Sequence, residues 1–182
     1  MIVIETARLT LRWLSVHDAA FIVALLNDPG WLRFIGDKGV RTEDDARRYI
    51  VNGPVEMYAR HGFGLYLTEV KGAGLPIGLC GLIKRDALED VDVGFAFLPE
   101  YRKTGYAFEA ATAVIAHGEN ALRLSRIVAI TAPANADSVR LLERLGFRFE
   151  RVVQLPNDSE ELSLYARDAG PPATARAAAV PR

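Results

Sequence analysis

Cysteine is nearly absent from the 182-residue chain, with Cys80 the single example. No intramolecular disulfide and no cysteine-based metal cluster can form from one thiol. Histidine is also scarce: His17, His61 and His117 are the full set, and none stands at metal-ligand spacing from another. No metal site is expected. No apolar run approaches the ~20 residues that cross a bilayer, and the start MIVIETARLTLR turns charged too early for a secretory leader. An excess of basic charge is missing too. Lys and Arg number 22 against 23 Asp and Glu, a formal net charge of −1, so neither nucleic acid nor an anionic membrane is an expected partner. A dinucleotide fingerprint is lacking, because Gly72, Gly74 and Gly78 do not fit G-x-G-x-x-G and precede a strand. These absences predict a cytoplasmic protein that works on small or peptidic partners.

What is present is a folding pattern. Half of the residues are hydrophobic and 25% charged, the composition of an ordinary globular chain. Leu9, Leu11 and Trp13 alternate with Arg8, Thr10 and Arg12, which predicts a half-buried strand. Ser15 and Asp18 form a capping-box pattern ahead of an apolar run to Leu26, and Asn27-Asp28-Pro29 should stop that helix. Thr42 and Asp45 repeat the pattern for a helix through Ile50, which Asn52-Gly53-Pro54 should end. A short helical turn follows over 54–60. Strands are predicted over 63–70 and 76–84 about the hairpin turn 71–74, then over 91–98 and 127–131. Helices should cover 106–120 and 136–145. Asn135 caps the second and Gly146 closes it. Strands over 147–153 and 160–166 flank a Pro156-Asn157-Asp158 turn. The order predicts a mixed α/β (α+β) sheet with helices on its faces. One domain should span 1–168. Residues 169–182, rich in Ala and Pro, read as a tail outside it.

The chemistry concentrates in DVDVGFAFLPEYRKTGYAFEAA, Asp90 to Ala111. Val91, Val93, Phe95 and Phe97 share one face of a strand. Asp92, Gly94 and Ala96 leave the other face with little bulk, where an extended ligand can lie close to the backbone. A loop then delivers the chain to an Ala-rich helix. The first amides of a helix are unpaired and its dipole end is positive, a geometry that binds phosphate. Arg102 and Lys103 add charge, and Gly105 removes the Cβ that would block close approach. A plain strand-loop-helix crossover also calls for a glycine, so the hexamer by itself decides nothing.

The order of motifs decides more. Arg102-Lys103-Thr104-Gly105-Tyr106-Ala107 fits [Q/R]-x-x-G-x-[G/A]. With ETARLTLR, NDP, PIGLCGLIKR, VDVGFAFLP and NADSVRLLERLGF, it makes the chain from Glu5 to about Arg167 resemble the GNAT N-acetyltransferases, in the branch that acetylates ribosomal-protein N-termini. The resemblance implies a mostly antiparallel central sheet with helices on both faces, acetyl-CoA as cosubstrate, and direct attack of an amine on the thioester. It implies that backbone groups of Phe95, Phe97 and Leu98 meet the pantetheine arm, and that an amide there polarises the thioester carbonyl, worth about 2.7–4 kcal/mol of barrier. The backbone from Lys103 and Thr104 through Gly105, Tyr106, Ala107 and Phe108 would hold the pyrophosphate, and Asn135 and Ser138 would meet the cofactor at the thiol end.

Relatives often place a tyrosine where this chain has Leu142, as the acid for the departing thiolate. Ser138 is the first substitute for that role and Tyr165 the second. Asp92 is the leading candidate for the base, where relatives often carry Glu; Glu161 or a water relay are the alternatives. Trp31, Phe34 and Ile35 lie where the branch builds one wall of the acceptor pocket. The acceptor is expected to be a peptide or protein N-terminal α-amine. A small-molecule amine and a catalytically silent CoA sensor are the other readings. The oligomeric state, monomer or homodimer, stays open.

Overall fold

A computed structural model describes residues 1–156 and 160–170 of the chain. Its frame is one eight-stranded sheet in the order β1-β2-β3-β4-β5-β6-β8-β7. The strands are β1 (Ile2–Glu5), β2 (Leu9–Arg12), β3 (Leu65–Val70), β4 (Leu75–Ile83), β5 (Val91–Phe97), β6 (Arg126–Thr131), β7 (Arg148–Gln154) and β8 (Glu161–Asp168). Every neighbouring pair is antiparallel except β5 and β6. That parallel pair is formed by a strand-helix-strand crossover, as parallel neighbours require.

The helices divide between the two faces. On one lie α1 (Ala19–Leu26), α2 (Pro29–Phe34) and α3 (Glu43–Ile50); on the other lie α5 (Tyr106–Asn120) and α6 (Ala136–Arg144), and the short α4 (Glu56–His61) sends its buried Tyr58 into the α5-side core. Each face has its own core. Ile22, Leu25, Ala46 and Ile50 pack on Leu67 and Leu79. Ala110, Ala111, Val114 and Ile115 of α5 pack on Tyr66, Cys80, Leu82 and Val93. The alternation of the strands feeds both cores at once, since successive side chains point to opposite faces. Gly81 of β4 stands where any Cβ would strike the backbone of Gly64 and Leu65, so it lets β3 and β4 approach.

The structure departs from the sequence reading in three places. Ile2–Glu5 is an edge strand that the reading left unassigned. Asp28-Pro29 stops α1 but also starts α2: Asp28 accepts the Trp31 amide at 3.1 Å and Pro29 occupies the first helical position, a start signal in its own right. Asn52-Gly53-Pro54 does not end α3. The chain continues through a π-helical segment, Val51–Val55, into α4. The wider turn absorbs the N–H that Pro54 lacks, which an α-helix could not. The end of the 156–158 turn and most of the expected tail, 171–182, lie outside the described residues.

Candidate active site

Pairing between β5 and β6 stops almost as soon as it begins. Val91 faces Ile127 and Asp92 faces Val128, and from Val93 onward that edge of β5 pairs with no strand among the described residues. On its other edge β5 stays paired with β4 through Phe97. The sheet therefore splits, and the split opens into a cavity of about 1010 Å³. Unpaired strand edges carry donors and acceptors that an extended ligand can satisfy.

The loop after β5 ends at the start of α5. Lys103 (φ 61) and Gly105 (φ 86) both adopt left-handed conformations, which turn successive amides toward one concavity. The amides of Gly105, Tyr106, Ala107 and Phe108 donate to no protein group among the described residues. The loop is fixed from behind by Arg8, which the sequence gave no reason to single out. Its Nε donates to Glu109 at 2.6 Å, its Nη1 donates to the Thr104 carbonyl at 3.2 Å, and its guanidinium lies 4.5 Å from the Tyr106 ring centroid. Arg144 covers the Phe108 ring at 4.7 Å and has no carboxylate partner among the described residues. Lys103, Arg140 and Arg144 all line the cavity at this end.

The cavity gathers most of the residues singled out in the sequence. Trp31, Phe34, Asp92, Phe95, Phe97, Arg102, Lys103, Gly105, Ala107, Phe108, Asn135 and Ser138 all line it, and Ile35 with them. Leu98, Thr104 and Tyr106 send their side chains elsewhere. Leu98 packs toward α1 and α3, Thr104 donates its hydroxyl to the Tyr101 carbonyl at 2.7 Å, and Tyr106 carries Arg8. Arg102 needs a correction. Its guanidinium is not a spare positive charge, because it pairs with the buried Asp28 and donates through Nε to the Phe97 carbonyl at 2.8 Å. It ties α2 to the end of β5 and balances a carboxylate that would otherwise be buried alone.

Asp92 is no solvated charge at a strand start. It is 1% exposed, its Oδ2 accepts from Arg85 Nε at 2.6 Å, and its Oδ1 is buried without a hydrogen-bond partner. Burial pushes its carboxyl up to about 6, against the pull of Arg85 and of the Ile130 amide. Oxygens so enclosed do not reach an amine directly. Tyr165 is packed against Phe149 in the α5-side core, and neither it nor Glu161 lines the cavity. Ser138 does, and its hydroxyl has no hydrogen-bond partner among the described residues, while its amide donates to Asn135 Oδ1 at 3.2 Å. Leu142 is buried at 1% exposure and also touches the cavity. Arg85 and Tyr49 line it too; burial raises the Tyr49 phenol. The sequence offered no signal for either, since one is a loop residue and the other sits in the last turn of α3.

A split sheet, a concavity of free amides at a helix start and a cationic rim fit a long phosphorylated thioester. Residues 8–148 match the acetyltransferase (GNAT) domain. The chain belongs to the GNAT acetyltransferases. It is 27% identical to the uncharacterized N-acetyltransferase YnaD of Bacillus subtilis, over 81% of this chain and 83% of that one. A GNAT-family acetyltransferase from Bacillus anthracis superposes with a TM-score of 0.76 at 27% identity, over 92% of this chain and 98% of its own. RimL, a ribosomal L7/L12 α-N-protein acetyltransferase solved in complex with coenzyme A, shares the fold with a TM-score of 0.78 at 18% identity, over 92% and 98% of the two chains. As a GNAT member the chain is an acetyl-CoA-dependent N-acetyltransferase, and acetyl-CoA is its cosubstrate.

Proposed function

We propose that this GNAT enzyme acetylates the α-amine of a peptide or protein N-terminus. The observation that carries the reading is the state of the cavity's carboxylates. Asp92 is enclosed against Arg85, Asp137 is paired with Arg140, and Glu160 has a partner. Among the described residues that line the cavity, no carboxylate stands free as a strong base. A lysine amine, with a pKa of about 10.4, is neutral at roughly the 0.04% level near pH 7, whereas an α-amine, about 7.7–8.0, is neutral at roughly 10–20%. A site without a dedicated base favours the second. RimL, of the same fold, is described as acting on an α-amine of a ribosomal protein.

In this reading the free edge of β5 at Phe95 to Leu98 holds the pantetheine arm as an added strand would, and one of its amides stabilises charge on the thioester oxygen. Amides from Lys103 to Phe108 hold the pyrophosphate. Asn135 meets the arm near its thiol end, and Ser138 Oγ donates a hydrogen bond to the leaving sulfur. Trp31 and Phe34 wall the acceptor side. Asp92 acts at one remove, through Arg85 or an intervening water, as a positioning residue.

The test is thiol release from acetyl-CoA with three forms of one lysine-containing peptide: free, N-terminally blocked, and lysine-acetylated. Turnover is expected with the first and third and lost with the second, and the rate should rise through about pH 7–8 as the α-amine deprotonates. Turnover of the blocked peptide, or of polyamines and amino sugars alone, would overturn the reading.

A further inference from the structure

Arg85 sits in the connection between β4 and β5 and lines the cavity beside the point where β5 and β6 part. Only its Nε is committed, to Asp92 at 2.6 Å. Its two terminal nitrogens donate to no group among the described residues, and its side chain is 34% exposed. Asp92 holds the guanidinium by one side and is itself almost fully enclosed, so it fixes the fork rather than competing for its open edge. Such a fork matches a carboxylate with two parallel hydrogen bonds.

Tyr49, from α3, closes on the same place: it lines the cavity and feels the charge of Arg85. An apolar wall beside a pre-oriented, unspent guanidinium is a specificity site, since a held donor loses little freedom on binding.

We infer that Arg85 selects acceptors that carry a carboxylate close to the amine that is acetylated. The inference rests on the α-amine reading and narrows it. The carboxylate has two sources: an acidic side chain at the second position of a peptide, or the C-terminal α-carboxylate of a dipeptide. Both place an anion a few bonds from the nucleophile, and the open edge of the fork receives either.

Two measurements separate this inference from the reading beneath it. Calorimetry on CoA-loaded protein compares a peptide bearing Asp at position two with its Asn counterpart, and a dipeptide with its C-terminal amide; thiol release then follows the same four compounds. Acidic acceptors are expected to bind at least about tenfold tighter than their amides, with the same preference in kcat/KM expressed through KM. Arg85→Lys keeps a cation on Asp92, so the buried carboxylate is not left alone, but its single ammonium is spent there. The preference should collapse in that variant, and in Arg85→Gln where it folds. Which pair shows the larger preference identifies the source. Equal binding of acid and amide, with turnover intact, overturns the role of Arg85 and spares the α-amine reading. A binding preference without turnover of any α-amine supports Arg85 as an anion site and removes that reading. A preference that survives Arg85→Lys assigns recognition to another cation and overturns the inference.

Discussion

The two sides of the split sheet recognise by different means. On the α5 side the candidate contacts are main-chain groups: the unpaired edge of β5, the left-handed turn at Lys103 and Gly105, and the free amides at the start of α5. On the side of α1 to α3 they are side chains: Trp31, Phe34, Tyr49 and Arg85. A backbone site tolerates change in most of the residues that build it, provided the conformation is kept. A side-chain site changes its ligand with each substitution. The first suits a cosubstrate shared across a family, the second an acceptor that differs between members. Arg102 joins the two, bonding the Phe97 carbonyl on one side and Asp28, the cap of α2, on the other. Asp28 and Arg102 also fill the space beside Gly30, where a Cβ would come within 2.8 Å of Arg102 Nη1. The proposed acceptor wall is thus seated on the residue that opens the proposed phosphate loop.

The sharpest way to break the backbone side is Gly105→Glu. Its φ of 86° is a conformation that costs an L-residue roughly 1–2 kcal/mol, and its Cβ would lie 3.3 Å from Arg8 Nη2. The added carboxylate also repels phosphate at the free amides. Affinity for acetyl-CoA, read by calorimetry, should fall by roughly 100-fold or more. Gly105→Ala carries the strain alone and should lose about tenfold. Equal affinities in wild type and folded Gly105→Glu would remove the phosphate site from this loop.

That asymmetry also explains what the sequence disclosed. Backbone sites leave a residue signature, because only certain residues permit the conformation: Gly105 after a strand and before an Ala-rich helix pointed to the phosphate loop, and the α5 span over 106–120 was read to the residue. Side-chain sites leave none until the fold brings distant residues together. Arg85 and Asp92 are seven residues apart across a connection, Arg102 and Asp28 are 74 apart, and Arg8 and Glu109 are 101 apart. No periodicity predicts such pairs. The missed α2 is a different failure: Asp28-Pro29 reads equally as a stop and a start, and only the five residues after it settle which. At Asn52-Gly53-Pro54 local propensity favoured a break, and the packing of Pro54 and Tyr58 into the protein prevailed.

Ser138 tests the seam between the two sides, since it lies at the start of α6 and lines the cavity. Leu142, where relatives place an acid, has no proton to offer. Ser138→Ala should lower kcat by about 10-fold to 100-fold, the range set by a hydrogen bond of about 1.5–3 kcal/mol to a charged group. Cofactor affinity should hardly change, because the bond strengthens as charge develops on sulfur. The measurement is single-turnover kinetics with chemistry limiting. An unaltered rate there would return the thiolate to water.

The smallest effect is a pH dependence that belongs to the acceptor side alone. Burial raises the Asp92 carboxyl from an ordinary 3.8 to about 6. The folded protein then binds a proton more tightly than the unfolded chain. The stability this group contributes is full below about 3.8 and is lost as pH rises through about 6, opposite in sign to a salt-bridged surface carboxylate. Loss of charge on Asp92 also releases Arg85, so acceptor binding should weaken as pH falls through the same window. An α-amine nucleophile alone makes log kcat/KM climb with a slope of about one below pH 7.7. Asp92 should add a second unit of slope below about pH 6, so that at pH 6 the enzyme stands roughly twofold under the line extrapolated from higher pH. Asp92→Asn should keep a slope of one throughout. Calorimetric titration of acetyl-CoA over the same pH range should show no matching step, because no carboxylate holds the phosphate loop's amides. A second unit of slope that persists in Asp92→Asn would assign the titration elsewhere, and a step near pH 6 in cofactor binding would show that the two sides of the cleft are coupled through the sheet.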